Sequence, residues 1–427
     1  MIDSEPSDKY YINYRTYVLA VFFMVAIFNT TDAFLFGLLM EPIKQDLALS
    51  DAWMGFLAGF IFSISSSLAG IPMAYWADRG NRRSIVAGGL LFWSLLTILC
   101  GTAQNTLQMV LARMGVGITQ STGGAPSHAL LSDYFPAQKR GMALGIMAAG
   151  GTLGIFLAML GGGWVAEYYG WRSAFLVAGL PGIILAMLVR TTIKEPARGQ
   201  YGTAELSKNT PSAWTTLRFL FALRAYRHMV IAGSLQSFAG IGAAVWSTAF
   251  LMRVHNMSIG EAGTILALLD TAFAAFGIVL WGVVADRLGK RDSRWYQWLP
   301  ALGTILSLPF YLLFLLLPNA DSAVVFLAPS ALFFAAWIAP SHALAQSLAK
   351  AQMRAMSSAA MLLLQSLVGM GLGPLAVGVL NDKLRSQFGD EAIRYSMIII
   401  VLVSIWGAIH NFISARTLRQ DLIAQTR

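Results

Sequence analysis

Ala77-Asp78-Arg79-Gly80-Asn81-Arg82-Arg83 stands between two long apolar runs, and Ala285-Asp286-Arg287-Leu288-Gly289-Lys290-Arg291 stands between two others. The acid and the basic residues keep their order at a separation of 208 residues. A second echo is closer in letter: Ala125-Pro126-Ser127-His128-Ala129-Leu130 recurs as Ala339-Pro340-Ser341-His342-Ala343-Leu344, 214 residues on. One unit used twice in the same direction accounts for both echoes, so the chain reads as two parallel repeats.

The apolar runs around these loops are long. A helix that crosses a bilayer needs roughly 20 apolar residues. Twelve such spans are expected near 16–41, 53–77, 84–103, 106–133, 141–165, 172–192, 227–253, 260–285, 295–317, 321–348, 355–380 and 394–415. A chain that is 56% hydrophobic and 12% charged is far from a soluble domain. The expected fold class is an all-α integral membrane protein whose 12 transmembrane helices form two pseudo-symmetric six-helix bundles. The expected organisation is a tail at 1–15, a bundle at 16–193, a linker at 194–226, a bundle at 227–415 and a tail at 416–427. The linker is basic, and Pro196 and Pro211 argue against one continuous helix there.

Charge orients this array. The side shared by both termini carries 23 Lys and Arg residues, whereas the opposite side carries 6: Lys44, Arg172, Arg253, Lys383, Arg385 and Arg394. The positive-inside rule then places both termini in the cytoplasm. The same distribution explains the net charge of +9 without a nucleic-acid partner. Met1 to Tyr14 is polar, with Asp3, Glu5 and Asp8, and the first apolar run is too long for a cleavable signal, so it stays in the protein. Compact loops and the lack of targeting segments point to a bacterial inner membrane, with the chain acting as a monomer. Cys100 is the lone cysteine and reads as a small packing residue. No metal-like spacing, phosphate loop or nucleophile–base set stands in the aqueous segments, so neither a cofactor nor an enzyme is expected.

Over essentially its whole length the chain resembles the major facilitator superfamily. The repeated loop is that superfamily's best-known motif, and Arg113 with Gly117 looks like its fourth-span motif. Within it the chain resembles the Spinster-like (lysolipid and sphingolipid) transporters, whose loop reads Asp-Arg-aromatic-Asn-Arg-Arg/Lys. Asn81 occupies the place where most relatives have Gly, and Asn is the best non-Gly residue for a left-handed turn. Spinster-like chains usually continue from the fourth-span Arg as Gly-x-Gly-Glu. Here the residues are Gly117-Ile118-Thr119-Gln120, and Gln does not titrate. The resemblance implies that spans 1, 4, 7 and 10 surround a central cavity.

Two charges of opposite sign at membrane depth are the leading site candidates. Asp32 lies about 13 Å below the outer end of span 1 and Arg113 about 10 Å below that of span 4, so the two can meet. Either they form a permanent neutralising staple, or proton uptake by Asp32 releases Arg113 to hold a substrate anion. Asp270, about 15 Å deep in span 8, is a second carboxylate that can carry a coupling proton. Phe34, Phe36, Phe60, Phe62, Gln120, Gln236, Trp246, Trp337 and Gln365 are candidate walls of the cavity, mainly apolar with few polar points. That surface suits an amphipathic or lipid-like molecule better than a free sugar.

The loops have a mechanical reading beside a plain one. Asp78, Arg79, Arg82 and Arg83, with Asp133 and Arg140 at the end of span 4 and Asp286, Arg287 and Arg291 in the second repeat, are candidate gating residues. Glu167 and Glu195 are further candidate acids. Basic residues there bond helix C-terminal carbonyls and neighbouring acids, or are simply solvated. Gly141, Gly145, Gly150, Gly151 and Gly154 in span 5 partly resemble an antiporter motif, and small residues four apart first indicate close packing. The function expected is proton-coupled secondary transport by alternating access in the lipid bilayer, with a Spinster-like amphipathic substrate. An organic-anion or aromatic-acid proton symporter, a drug/proton antiporter and a transporter-like membrane sensor are the alternatives.

Overall fold

The structure, a computed structural model, describes residues 8–196 and 212–424, and among these it leaves aside the side chains of residues 8–12, 71, 74, 78, 125, 137 and 424. The expected tails and linker therefore fall partly outside the described residues. Among the described residues all regular structure is helical.

Among the described residues nine continuous helical stretches are long and apolar enough to cross a membrane: Asn13–Leu38, Asp51–Ala77, Arg82–Thr102, Gln138–Thr192, Arg224–His255, Ile259–Gly289, Trp295–Leu316, Ala320–Ser347 and Ala351–Ile423. Two of them are double. A rod of 55 residues would run about 80 Å, against a hydrocarbon core of about 30 Å. Gly170, at φ +82°, turns the chain between spans 5 and 6, in a conformation that an L side chain resists. Gly389, at φ +57°, does the same between spans 11 and 12. Span 4 is the twelfth. It is built from Thr106–Gln120 and Ala125–Tyr134, with a tight turn at Ser121–Gly123 between them.

Short polar residues start the helices by accepting otherwise unpaired N–H groups. Ser50 takes the N–H of Trp53 at the start of span 2, and Ser258, 208 residues later, takes that of Glu261 at the start of span 8. The repeat is thus visible in its caps. It is visible also in a π-turn within each span, Phe56–Phe60 and Leu266–Thr271. Asn81 corrects the left-handed expectation: its backbone is extended, φ −77° and ψ 107°, and its side chain caps span 3 by accepting the N–H of Ser84 at 2.8 Å.

The chain packs as two compact units, Met1–Phe36 with Ser65–Glu205 and Gly37–Ile64 with Leu206–Arg427. The first has a core of Val18, Phe22, Leu90, Trp93, Leu130 and Val189. Span 5 lies tight on span 1 there. A Cβ at Gly150 would come 2.7 Å from the Phe23 carbonyl and one at Gly154 would strike that of Ile27, while Gly141 and Gly145 face open space. The packing reading therefore holds for Gly150, Gly154 and Gly151, whose Cβ would come 3.2 Å from Thr30 Oγ1, and not for Gly141 and Gly145. The second unit has a core of Tyr226, Met229, Leu344, Leu348, Met361 and Leu418. It also takes in the end of span 1, the connecting helix Met40–Asp46 and the first half of span 2. Outward-facing Leu68, Ile184, Phe276 and Val279 are the apolar surface that a lipid environment requires.

Candidate functional site

Asp32 and Arg113 come together inside the first unit. Asp32 is 2% exposed and Arg113 is 1% exposed, within electrostatic reach of each other. Thr97 of span 3 donates its hydroxyl to Asp32 Oδ1 at 2.8 Å, and Asp32 Oδ2 has no hydrogen-bond partner among the described residues. The Arg113 guanidinium lies over the Phe36 ring, 4.5 Å from its centre, and Phe175 packs behind that ring at 6.4 Å. Phe36 is therefore a buried floor for Arg113. Cys100 is buried beside both charges. Gln120, about two turns on from Arg113 in the same helix, donates Nε2–H to the Asn29 carbonyl of span 1 at 2.5 Å, while its Oε1 lacks a partner among the described residues. The site is a buried, charged cluster between spans 1, 3 and 4.

On the side shared by the termini, the first-repeat loop is wired into its own unit. Arg82 reaches Asp133 at 2.6 Å and Glu195 at 3.1 Å. Glu195 also accepts the backbone N–H groups of Arg82 and Arg83, so its carboxylate caps span 3 at the positive end of the helix dipole. Arg83 donates to the Ile193 carbonyl at 3.2 Å. Arg140 does not meet Asp133; it closes the end of span 4 by donating to the carbonyls of Ser132 and Phe135 at 3.0 and 3.1 Å. Arg79 lies over the ring of Tyr75. The side chain of Asp78 lies outside the described residues.

The second repeat departs from this wiring. Asp286 accepts the hydroxyl of Tyr296 at 2.8 Å, and Arg287 and Arg291 are exposed without an ion pair among the described residues. The network has moved to Asp292, which holds Arg294 and, from the last helix, Arg419, each at 2.8 Å. In this copy the expected lattice at Asp286, Arg287 and Arg291 is thus corrected to a lattice at Asp292.

In the second unit the expected cavity residues divide. Gln236 is wholly buried and donates to Thr304 of span 9 at 2.8 Å, and Trp246 is wholly buried and donates Nε1–H to the Pro374 carbonyl at 2.9 Å. Trp246 thus spends its one polar group on helix packing, whereas Gln236 ties its amide nitrogen to span 9 and keeps a buried Oε1 that has no hydrogen-bond partner among the described residues. Phe34, in the first unit, and Phe60, stacked on Phe56 in the second, are half-buried. Trp337 and Gln365 are buried beside Gly233, and Trp337 Nε1 and Gln365 Nε2 have no hydrogen-bond partner among the described residues. Asp270 lies in the span 8 π-turn within electrostatic reach of Tyr311, whose hydroxyl meets that of Ser247 at 3.3 Å. π-turns of this kind recur at functional sites.

The densest charge cluster lies outside the sequence motifs. On the opposite side, Arg253 at the end of span 7 grips Asp51 through two nitrogens at 2.6 and 2.9 Å and Glu41 through a third at 2.7 Å. Lys44 meets Asp51 at 2.6 Å. Asp382 of span 11 accepts the backbone N–H groups of Asp51 and Ala52 at 3.0 and 2.9 Å. A cavity of about 600 Å³ opens beside this clasp, lined by Glu41, Lys44, Gln45, Arg253, Asn256 and Arg385 among others. Arg253 was one of only six basic residues on that side, and that scarcity was the available signal.

Twelve spans, a repeat, and charges buried at membrane depth are the build of a membrane transporter. The Major Facilitator Superfamily model matches residues 22–374, and the chain belongs to that superfamily. An "MFS-type efflux pump" of Mycolicibacterium smegmatis is 33% identical over 100% of this chain and 98% of its own. A crystal structure of a bacterial homologue of the human lysosomal transporter Spinster, inward-facing and unoccupied, matches at TM-score 0.88 and 28% identity, over 96% of this chain and 98% of that one. The "Cis,cis-muconate transport protein" of Acinetobacter baylyi is 29% identical over 67% of this chain and 69% of its own. The Spinster resemblance read from the loop residues is met by the structural neighbour, and the superfamily is one of transporters and not of enzymes.

Proposed function

We propose that this chain is a proton-coupled secondary transporter that moves an amphipathic organic substrate by alternating access. The observation that supports it best is the Asp32–Thr97–Arg113 pocket. Asp32 has one oxygen held by Thr97 and one without a partner, in a site where charge is costly. A proton taken up by Asp32 removes the negative charge facing Arg113, and the guanidinium is then available to an anionic group. When the anion leaves, the charges restore each other and the proton departs. Asp270 would be the second titrating carboxylate. Within the second unit, the half-buried Phe60 and the buried donors of Trp337 and Gln365 would be its own candidates for contact with an apolar body and an acceptor atom.

The clasp around Arg253 would be the gate on the opposite side. Releasing it means taking Arg253 from both Glu41 and Asp51 and Asp382 from a helix N-terminus at once, with only Lys44 left on Asp51, so it opens as a unit. The Arg82–Asp133–Glu195 network would stiffen the loop end of the first unit during that movement. We place the termini in the cytoplasm and the protein in a bacterial inner membrane on the charge asymmetry of the loops. The test is flux in proteoliposomes with an imposed proton gradient, against a panel of lysolipids, fatty acids and aromatic acids. Accumulation of a panel member that follows the gradient supports the reading, and gradient-independent flux of every member overturns the coupling.

A second reading is an organic-anion or aromatic-acid proton symporter. Arg113 stacked on Phe36 presents a cation beside an aromatic face, and the muconate relative carries an unsaturated dicarboxylate by its name. The same panel separates the two.

A further inference from the structure

The ends of spans 7 and 12 on the terminal side are joined by an antiparallel ladder. Asp421 accepts the Ala225 N–H at 2.7 Å, Ser414 donates to the Ala225 carbonyl at 2.8 Å, and one turn further in His228 and His410 meet through their Nδ1 atoms at 2.8 Å. Two imidazoles in that contact share a single proton on the line between them. The accepting ring, when neutral, must carry its own proton on Nε2, so the pair presents at least one N–H donor away from the shared bond. Arg224 is one turn before His228 on the same helix face, and Arg227 adjoins it. Both are exposed and neither makes a side-chain hydrogen bond or ion pair among the described residues. Asp421, spent on the helix end, is the acid in this ladder.

The surroundings are those of a headgroup layer. Trp406, one turn from His410 with ring centres 6.1 Å apart, is 60% exposed on span 12. The short helix Ala213–Ala222 that precedes span 7 buries Thr216 and Leu220 and turns out Trp214 and Arg218, one turn apart. Exposed Trp beside Arg at the end of an apolar span is the composition of a membrane–water interface.

We propose that Arg224, Arg227 and the His228–His410 pair bind the phosphate of an anionic phospholipid from the leaflet on the terminal side, with its chains running along Trp406. The lipid is a resident of the outer face of the second unit, separate from the transported substrate. A phosphodiester supplies the acceptor oxygens that the imidazole donor and two guanidinium groups lack, and its charge screens their mutual repulsion.

The test is native mass spectrometry of the purified full chain titrated with phosphatidylglycerol, phosphatidylcholine and glycerol 3-phosphate. Phosphatidylglycerol should bind more tightly than phosphatidylcholine. Arg224→Gln with Arg227→Gln should weaken phosphatidylglycerol about tenfold and leave phosphatidylcholine unchanged. His228→Gln with His410→Gln should weaken it again, whereas Arg287→Gln with Arg291→Gln, an equal charge change elsewhere on the same side, should not. Melting of each variant checks the fold. The proposal is overturned if the Arg224/Arg227 variant keeps the wild-type preference, if the Arg287/Arg291 variant loses as much, or if glycerol 3-phosphate displaces the lipid at equal concentration, which would make this a soluble-anion site.

Discussion

Asp382 caps span 2 from span 11: its carboxylate accepts the backbone N–H of Asp51 at 3.0 Å while the Asp51 side chain is gripped by Arg253. One residue is thus held by its backbone from one helix and by its side chain from another. The close seat beneath it allows no slack. A Cβ at Gly55 would come 2.8 Å from the backbone of Leu375, so span 2 meets span 11 main chain to main chain.

Removing the cap should loosen this seat. Asp382→Ala deletes the acceptor of two N–H groups, and loss of a helix cap costs about 1 kcal/mol, or about a fivefold change in an opening equilibrium. Labelling of a cysteine placed at the buried Leu57 by an impermeant maleimide should rise by that order. Arg253→Lys should raise it as well, because an ammonium cannot make the forked contact to Asp51 while also reaching Glu41. Unchanged labelling in both variants would mean that the clasp is ornamental to the gate.

The Arg82 network should report on stability. Arg82 is buried and joins two acids, so Arg82→Ala leaves Asp133 and Glu195 facing each other without a cation. Breaking a buried pair costs about 3–5 kcal/mol, and the partial exposure of Glu195 points to the lower end of that range. The melting temperature should fall by several degrees, and Arg82→Lys should recover only part of it, since one ammonium cannot serve both carboxylates. A melting temperature equal to the wild type would return this loop to a solvated basic segment.

Sequence carried the fold further than it carried the site. Span lengths and the 208-residue repeat are set by bilayer thickness and duplication, which leave periodic traces in any one chain. Asp32 and Arg113 stood out because a charge among apolar residues is costly, and helix rise alone placed them at one depth. Asp51, Asp382 and Glu41 did not stand out: an acid at a helix end is ordinary, and Asp51 acquires its meaning from Arg253, 202 positions away. Asn81 reads equally well as a turn residue or a cap in sequence, and only its extended backbone separates the two. Sequence names Arg140 and Asp133 as gating candidates on one side without saying what either bonds, and the acceptors Arg140 finds are the open carbonyls of the helix end.

The Asp292 lattice gives a pH prediction. Its side-chain and backbone bonds with Arg294 hold the Asp292 carboxyl at about 2, below the ordinary 3.8. A depressed carboxylate contributes stability that is complete above its unfolded value and lost as pH falls toward the folded one. The contribution is therefore constant from pH 8 down to about pH 5 and fades only below about pH 4. Asp292→Asn should lower the melting temperature by the same small amount at pH 5.5, 7 and 8. A difference that shrinks between pH 8 and 6 would show that another titrating group shares the lattice.

Coupling should rest on Asp32. Asp32→Asn keeps the acceptor for Thr97 but cannot ionise, so the Arg113 charge is left permanently without its carboxylate in a buried site. Gradient-driven accumulation should be lost, by about a hundredfold or more if the proton is the sole driving ion. Exchange of substrate across the membrane in the absence of a gradient should persist, because binding needs Arg113 and not the carboxylate. Arg113→Ala should weaken an anionic substrate more than its neutral analogue, since it removes the buried partner of the anion. Gln120→Glu restores the acid that Spinster-like chains carry and sets it against the Asn29 carbonyl, where a carboxylate can bond only when protonated. That variant should therefore steepen the pH dependence of transport. If Asp32→Asn accumulates substrate with an unchanged pH profile, the proton is carried by Asp270 or by none, and the Asp32–Arg113 pair is a neutralising staple.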